Sequence, residues 1–197
     1  KEARETPGVT RAAPLIEQPL LTSFNGRVEA VLVRGNAPED IARIAPQVTA
    51  GSLAPLRPDA GNVAIGARLA ENLGVRLGDS ITIINPQGRA TPFGTVPRQI
   101  AYTVSAIFEI GVYDYDKAFV VMPMQDAQTL LLSGDSIGMI EVTPRDPDKV
   151  GEILRPGADR LAGQAIVTDW KTINATLFEA LAVERVAMFV GLSIIVL

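Results

Sequence analysis

The sequence predicts an α+β fold of two lobes, on three observations. Short strands and short helices are interspersed without the regular strand–helix alternation of a doubly wound sheet. A stretch rich in Gly and Pro, residues 50–61, is typical of a linker between two lobes. The final stretch, residues 186–197, carries no charge at all. We therefore expect a mixed two-lobed domain that ends in the start of a transmembrane helix.

The first elements follow from proline placement and strand propensity. Residues 9–22 contain apolar runs broken by Pro14 and Pro19, which favours an irregular or edge strand. Residues 28–34 are rich in β-branched side chains and predict a regular strand. A short helix is expected to begin near Pro38, because proline is favoured in the first helical turn.

The middle of the chain alternates strands with two helices. Residues 67–73 predict a helix, and Gly74 is placed to end it in the left-handed conformation. Pro123 is expected to start a second helix that runs to about Leu132. The predicted strands of this region are residues 63–66, 80–84, 100–110 and 118–122.

The last elements are a strand over residues 137–143 and two helices. Asp146 and Pro147 are expected to cap and open the first helix, which Pro156 is expected to stop. Asp169 resembles the N-cap of a long helix that continues without a break into the apolar stretch. We expect this helix to enter a bilayer.

These elements predict a discontinuous arrangement of lobes. Residues 1–50 and 136–175 form a membrane-proximal lobe, and residues 51–135 form an inserted lobe that carries the segment 85–99. Residues 176–197 form the exit helix and the start of the span. The charged beginning of the chain lacks the features of a signal peptide, so we expect it to start within a longer protein.

Composition argues against several classes of function. The 197 residues include 18 Lys plus Arg and 22 Asp plus Glu, a net charge of −4, which gives no reason to expect a nucleic-acid partner. There is no Cys and no His, so thiol nucleophiles, the usual zinc ligands and the usual general base are missing. We expect no enzyme activity and no cofactor.

The segment 85–99 has the most informative sequence, NPQGRATPFGTVPRQ. It joins two strong strands with about fifteen residues, whereas hairpin loops usually have two to five. Its prolines stiffen the segment, and Phe93 stands near the tip, where an aromatic side chain has little core to enter. A rigid apolar loop of this kind is typical of a docking element, and a surface loop with Phe93 folded back onto its own domain is the alternative.

Asp114 and Asp116 form the one pair of carboxylates that suggests chemistry. They lie two residues apart in the sequence DYDK, so a cation site or a carboxylate-dependent hydrolase is conceivable. Nothing else clusters with them, and a solvated turn between strands is the favoured interpretation. No phosphate-binding glycine loop is present in the sequence.

Taken in order, several segments resemble one family of membrane proteins. They are ARLAENLGVRLGDSITII at 67–84, the proline-rich segment, VVMPMQDAQTLL at 120–131 and DWKTINATLFEALAVERVAMFV at 169–190. Together they are similar to bacterial lipoprotein-releasing permeases of the LolC/LolE type, relatives of MacB-like ABC transporters. The resemblance covers nearly the whole chain.

The resemblance implies a domain that faces the periplasm from the bacterial inner membrane. Such permeases lift lipoproteins from the membrane and pass them to the periplasmic chaperone LolA. Their ATPase is a separate cytoplasmic subunit, and a second permease copy or paralogue completes the complex. In the LolC type a hook loop captures the chaperone.

The resemblance places the hook within residues 85–99. The match rests on Thr91, Pro92, Gly94 and Pro97, with Gln99 following. The pattern departs at Ile100, where the LolC type places a basic residue. The residues expected to contact the chaperone are Arg89, Thr91, Pro92, Phe93, Gly94, Pro97, Arg98 and Gln99.

Two further functions share the same architecture. A MacB-like efflux permease, or an FtsX-like domain that activates a cell-wall hydrolase, would need no hook. The proline-rich segment therefore favours the lipoprotein-releasing type.

Overall fold

The computed structural model describes residues 6–92, 94–160, 166–169 and 188. The chain divides into two compact units. One comprises Lys1–Ala12 together with Val142–Leu197, and the other comprises Ala13–Glu141. The predicted lobe boundaries at residues 51 and 135 stay a prediction.

Eight strands form one mixed sheet in the order β2-β7-β4-β6-β5-β1-β8, with β3 beside β6. Because β1 pairs with β2 as well as with β5, the six strands from β2 to β1 close into a ring. The strands are β1 Val9–Phe24, β2 Arg27–Asn36, β3 Val48–Gly51, β4 Asn62–Gly66, β5 Ser80–Thr91, β6 Gly94–Phe108, β7 Phe119–Pro123 and β8 Met139–Pro144.

The hairpin between β1 and β2 is the most regular part of the sheet. Ten residue pairs run without a shift from Leu15 opposite Asn36 to Phe24 opposite Arg27. Its two-residue turn is Asn25-Gly26, and both residues have positive φ, 47° and 81°. This is the geometry that Asn-Gly favours, because its twist matches that of the flanking strands.

Strand β1 has neighbouring strands on both sides, so the prediction of an edge strand is wrong. On one side it pairs with β2 from Leu15 onward. On the other side, Leu15 O accepts a hydrogen bond from Gly138 N, and pairing with β5 begins at Leu21. Pro19 lies between those two contacts, where a missing N–H breaks no pairing.

The sheet buries apolar side chains on both faces. Along β4, Val63 and Ile65 belong to one core and Ala64 to the other. Strand β7 alternates in the same way, with Val120 facing the first core and Val121 the second. This period of two on strands covered on both sides explains their continuous apolar sequences.

Helices cover the core faces of the larger unit. They are α1 Pro38–Ile41, which continues into a 3-10 helix at Ala42–Gln47, α2 Ala67–Leu73, α3 Tyr113–Ala118 and α4 Met124–Leu131. The predicted cap at Gly74 is confirmed by its φ of 73°. The predicted start of α4 at Pro123 is also confirmed, with Ala127 and Leu130 fully buried against the first core.

The smaller unit contains one helix, α5 Val150–Arg160, among its described residues. A 3-10 helix at Pro147–Lys149 precedes α5, and Asp146 caps it by accepting a hydrogen bond from Asp148 N at 3.0 Å, as predicted. The predicted stop at Pro156 is wrong, because α5 continues through it. Pro156 is exposed, so the carbonyl that loses its partner can be hydrated.

The α+β class is therefore confirmed by the mixed sheet and its short covering helices. Across the ranges that the structure describes, the helices are too short or too polar for a membrane crossing. The predicted exit helix, residues 176–197, lies outside the described residues apart from Met188.

Candidate docking hairpin

The proline-rich segment is a β-hairpin, so the predicted loop between two separate strands is wrong. Strands β5 and β6 pair from Ser80 opposite Thr103 to Asn85 opposite Arg98, and pairing resumes at Arg89. Among the described residues of the segment 86–97, every strand pairing joins β5 to β6. We call residues 86–97 the arm, because they extend the hairpin past the rest of the sheet.

Asn85 marks the root of the arm. It is buried, and its side-chain Nδ2 donates to Leu130 O at 3.4 Å. Its Oδ1 accepts from Gln87 N at 3.0 Å, which turns the chain into the irregular part of the hairpin. The amide therefore fixes both the end of the regular sheet and the direction in which the arm leaves.

Gly88 is required by the close approach of the two strands. A Cβ atom at this position would overlap the carbonyl oxygen of Val96 and would lie 2.8 Å from Arg98 N. It lies within the register shift between Asn85 and Arg89. The absence of a side chain thus allows the irregularity that shapes the arm.

Three prolines restrict the backbone of the arm and its turn. Pro86, Pro92 and Pro97 have no N–H to offer, and edge strands of natural proteins use proline to discourage pairing with other chains. Val96 is 56% exposed, although it is a β-branched apolar residue. The arm is therefore better suited to present apolar side chains to a pocket than to accept an added strand.

The predicted contact residues all belong to the arm or its root. Arg89 and Thr91 are on β5, Gly94 begins β6 with a φ of 120°, and Pro92 lies in the turn between them. Pro97 and Gln99 are exposed, and Arg98 is half-buried. Phe93 lies outside the described residues. The structure thus brings the described members together on one hairpin.

Arg98 lies on the core-facing side of β6 rather than on its outer side. Arg98, Ile100 and Tyr102 alternate with exposed residues, and the last two join the first core. Its Nε is buried and, within the described part of the chain, has no hydrogen-bond partner. Contact with a partner would therefore involve the outer end of the guanidinium.

A buried acid lies near the root of the arm. Asp126 Oδ1 accepts from Asp59 N at 2.8 Å, which ties the connection between β3 and β4 to α4. Burial raises the pKa of the Asp126 carboxyl, and the hydrogen bond from Asp59 N partly opposes this rise. Burial also raises the pKa of Tyr102 to about 12, with the Asp126 charge adding to the rise and Arg98 opposing it.

The Asp114 and Asp116 pair is not a solvated turn, so that interpretation is wrong. Both residues lie on α3, and Asp116 is buried with each carboxylate oxygen accepting a backbone N–H. Among the described residues, no group of three or more Asp, Glu, His or Cys side chains could hold a metal ion. An Asp whose two oxygens are held by the backbone is poorly placed for proton transfer.

Sequence reasoning missed Val96 and the exposed apolar residues 110–115. Val96 could have been found as a β-branched residue between two prolines, where no core is available. The stretch IGVYDY at 110–115 places apolar and aromatic residues around a glycine directly after a strand. Such a stretch is typical of an exposed apolar surface.

Comparison with known proteins identifies the fold and its relatives. The family model described as the MacB-like periplasmic core domain matches residues 1–155. The periplasmic region of MacB from Actinobacillus actinomycetemcomitans superposes with a TM-score of 0.54 at 10% identity, covering 89% of this chain and 79% of that one. The extracellular domain of the transporter YknZ from Gram-positive bacteria gives 0.51 at 13% identity, covering 81% and 80%.

Sequence relatives point to one branch of transporters. A protein from Xylella fastidiosa strain 9a5c, named lipoprotein-releasing system transmembrane protein LolC, is 34% identical over 98% of this chain. A protein of the same name from Neisseria meningitidis serogroup B is 31% identical over 96%. The chain spans 47% and 46% of the length of these two relatives. The resemblance to the LolC/LolE type is confirmed, and the chain belongs to the MacB-like periplasmic core domain family.

Proposed function

We propose that this chain is the periplasmic domain of an inner-membrane ABC transporter permease that releases lipoproteins and passes them to the chaperone LolA. The observation that carries the proposal is the arm, a stiff hairpin that extends from a MacB-like periplasmic core domain. The names of the sequence relatives support the same assignment.

The physical properties of the arm suit the capture of a protein with an apolar cavity. Prolines and strand pairing restrict its conformations before binding, so less entropy is lost when a partner closes around it. Val96 and the exposed Pro92 place apolar surface along the arm and at its turn. Phe93 follows Pro92 in sequence and is proposed as the central anchor.

The remaining parts of the transporter are assigned by the same proposal. A separate cytoplasmic subunit hydrolyses ATP, and a second permease copy or a paralogue completes the membrane unit. Lipoproteins are the cargo. The domain itself contributes binding and movement rather than a chemical step.

The arm can be removed without disturbing the sheet, which gives a direct test. Asn85 and Arg98 face each other in register, so residues 86–97 can be replaced by Asn-Gly to close a short hairpin at the root. The full-length permease with this replacement is expected to lose at least about tenfold in LolA capture, measured by pull-down. The thermal unfolding midpoint is expected to stay unchanged.

A matched control uses the other hairpin of the sheet. Val28 is exposed to the same degree as Val96, 57% against 56%, and Val28→Ala is expected to leave capture unchanged. Undiminished LolA capture by a folded arm-less protein would show that the hairpin is not the docking element. In cells, depletion of the permease is expected to strand lipoproteins in the inner membrane, whereas an efflux permease would leave their location unchanged.

A further inference from the structure

Helix α4 contacts both the connection between β3 and β4 and the root of the arm. Near its start, Asp126 Oδ1 accepts a hydrogen bond at 2.8 Å from Asp59 N, which belongs to that connection, residues 52–61. At its end, Leu130 O accepts from Asn85 Nδ2 at 3.4 Å. The two contacts are about 6 Å apart along the helix axis. About one turn of α4 therefore joins the connection to the arm.

The contact at the end of α4 satisfies a helix-terminal carbonyl. The last four carbonyls of an α-helix have no N–H partner within the helix, and Leu130 is the next-to-last residue of α4. Asn85 supplies the missing donor from the hairpin. Because Leu130 is fully buried in the first core, packing holds its carbonyl in place. A displacement of α4 would therefore move the anchor of the arm.

The middle of α4 rests directly on β2. Ala127 is fully buried, and a Cβ atom at Gly35 would lie only 2.5 Å from the Ala127 Cβ. The same atom would lie 3.4 Å from Met124 Cα. This close approach leaves no room for a side chain between the helix and the strand. Gly35 thus fixes the middle of α4, and the tilt of the helix depends on the contacts at its two ends.

Asp59 is held in an unfavourable backbone conformation. Its φ is 60°, in the left-handed region that residues other than glycine adopt at a cost. The hydrogen bond from its N–H to the Asp126 carboxylate offsets that cost. The connection therefore has two arrangements, one in which Asp126 holds Asp59 and one in which Asp59 relaxes.

A carboxylate is a costly side chain at position 126. The residue is 5% exposed, and its Oδ2 is buried without a hydrogen-bond partner among the described residues. Burying a polar atom in this way is unfavourable, and an apolar side chain would avoid the cost. The bond to Asp59 N is therefore the property that distinguishes Asp126 from an apolar residue at this position.

We propose that Asp126 is a positioning residue for the arm. Through α4, it passes the position of the β3–β4 connection to Asn85, and so it sets the direction in which the arm leaves the ring. The orientation follows from the contacts of α4 alone, whereas its effect on partner capture rests on the proposed function. The connection is thus a place outside the arm from which capture can be adjusted.

Spin labels can measure the direction of the arm in the full-length permease. One label is placed at Thr95 on the arm and the other at Val28 on the β1–β2 hairpin, and both positions are exposed. Labelled permease is mixed with excess unlabelled permease, so that each complex carries one labelled copy. The parent is expected to give one narrow distance distribution, because Asn85 holds the root of its arm.

Three variants act on the bond between α4 and the connection. Asp126→Leu keeps the branched shape but removes both oxygens, and it is expected to broaden the distance distribution about twofold, because Asp59 relaxes. Asp126→Asn keeps an oxygen for Asp59 N, so it is expected to give the narrow distribution of the parent. Asp59→Pro removes the donor N–H without changing α4, and it is expected to match Asp126→Leu.

Asp79 provides the matched control. Its Oδ2 accepts from Arg76 N at 2.8 Å, the same kind of bond at the same distance, in the turn before β5. Asp79→Leu removes this bond at the opposite end of β5 from the arm, so it is expected to leave the distribution unchanged. Combining Asp126→Leu with Asn85→Leu is expected to broaden the distribution no further than Asn85→Leu alone, because both act through one anchor.

Chaperone capture separates the positioning role from the function of the arm. Asp126→Leu is expected to lower LolA capture about threefold in a pull-down, because a loosely directed arm loses part of its preorganisation. Asp126→Asn and Asp79→Leu are expected to capture LolA like the parent. A broadened distribution with undiminished capture would support the positioning role and contradict the proposed function of the arm.

Two results would overturn the positioning role. One is a narrow, unshifted distribution in both Asp126→Leu and Asp59→Pro, in protein that retains its unfolding midpoint. The other is an equal broadening by Asp79→Leu, which would show that any hydrogen bond lost near the hairpin loosens the arm. If Asp126→Leu lowers the unfolding midpoint, Asp59→Pro decides alone, since it changes an exposed residue outside the core.

Discussion

The two hairpins of the sheet differ in the regularity of their pairing and in their turns. The hairpin of β1 and β2 pairs ten residues without a shift and closes through Asn25-Gly26. The hairpin of β5 and β6 begins regularly, shifts register after Asn85 and ends at Pro92 and Phe93. The first lies within the closed ring of strands, whereas the second leaves it.

The difference separates residues that stabilise the fold from residues that act outside it. Regular pairing and a tight turn lower the free energy of the folded ring. A shifted register and prolines add little to stability, but they give the arm a fixed shape. Variants that affect one property and spare the other can test this separation.

The largest expected effect lies where β5 still belongs to the ring. Ile83 is fully buried in the first core, so Ile83→Ala is expected to lower the free energy of unfolding by about 3 kcal/mol. Val96→Ala on the arm is expected to change it by less than about 0.5 kcal/mol. Urea denaturation of the two variants measures the contrast. Equal losses would show that the arm is part of the cooperative core.

The next effect contrasts a glycine from each hairpin. Gly88→Ala would overlap the Val96 carbonyl, so it is expected to misalign the arm and lower LolA capture about tenfold with an unchanged unfolding midpoint. Gly26→Ala meets no atom within 4 Å but keeps a φ of 81°, so it is expected to cost about 1 kcal/mol of stability and no capture. The reverse pattern would contradict the assignment of the two hairpins.

A smaller effect is expected beneath the root of the arm. The folded-state pKa of Asp126 is raised, so its contribution to stability is complete at acid pH and is lost as the pH rises through that pKa. Asp126→Asn keeps an oxygen for Asp59 N and removes the buried charge. It is expected to be more stable than the parent at neutral pH, with the difference shrinking toward acid.

The measurement for that variant is the unfolding midpoint followed from acid to neutral pH. The pKa of Tyr102, about 12 in the parent, is also expected to fall, because the Asp126 charge contributes to its rise. Absorbance titration of the tyrosines reports this change. An unfolding midpoint that depends on pH in the same way in both proteins would show that Asp126 is not the responsible group.

The smallest effect is expected at the exposed start of the regular hairpin. Val28→Ser is expected to change the free energy of unfolding by less than about 0.5 kcal/mol and to leave LolA capture unchanged. Equilibrium denaturation and pull-down measure the two quantities. A loss of capture here would show that the partner also covers the β1–β2 hairpin.

Local sequence rules predicted the elements whose causes are local. The helix at 67–73 with its Gly74 cap and the helix start at Pro123 depend on neighbouring residues alone, and both are confirmed. The Asn25-Gly26 turn could also be predicted from the local sequence, since Asn-Gly between apolar runs favours a two-residue hairpin.

The errors arose where distant residues decide the outcome. Pro14 and Pro19 are compatible with an interior strand because β1 changes partners along its length, which no local pattern indicates. The role of Asp116 depends on backbone donors that the strand end brings to it. Residues 85–99 were predicted as a loop, but they pair as a hairpin whose close strand approach depends on Gly88 meeting Val96.

Asn85 marks the boundary between the packed ring and a segment whose sequence can vary with little effect on folding. This buried amide completes the rim of the ring by bonding Leu130 O, and the strand pairing of residues 86–97 joins only β5 to β6 among the described residues. Paired insertions, deletions and exchanges in this segment are therefore expected to cost little folding free energy. Under the proposed docking role, exchanging these twelve residues is expected to change which partner binds while the core keeps its fold.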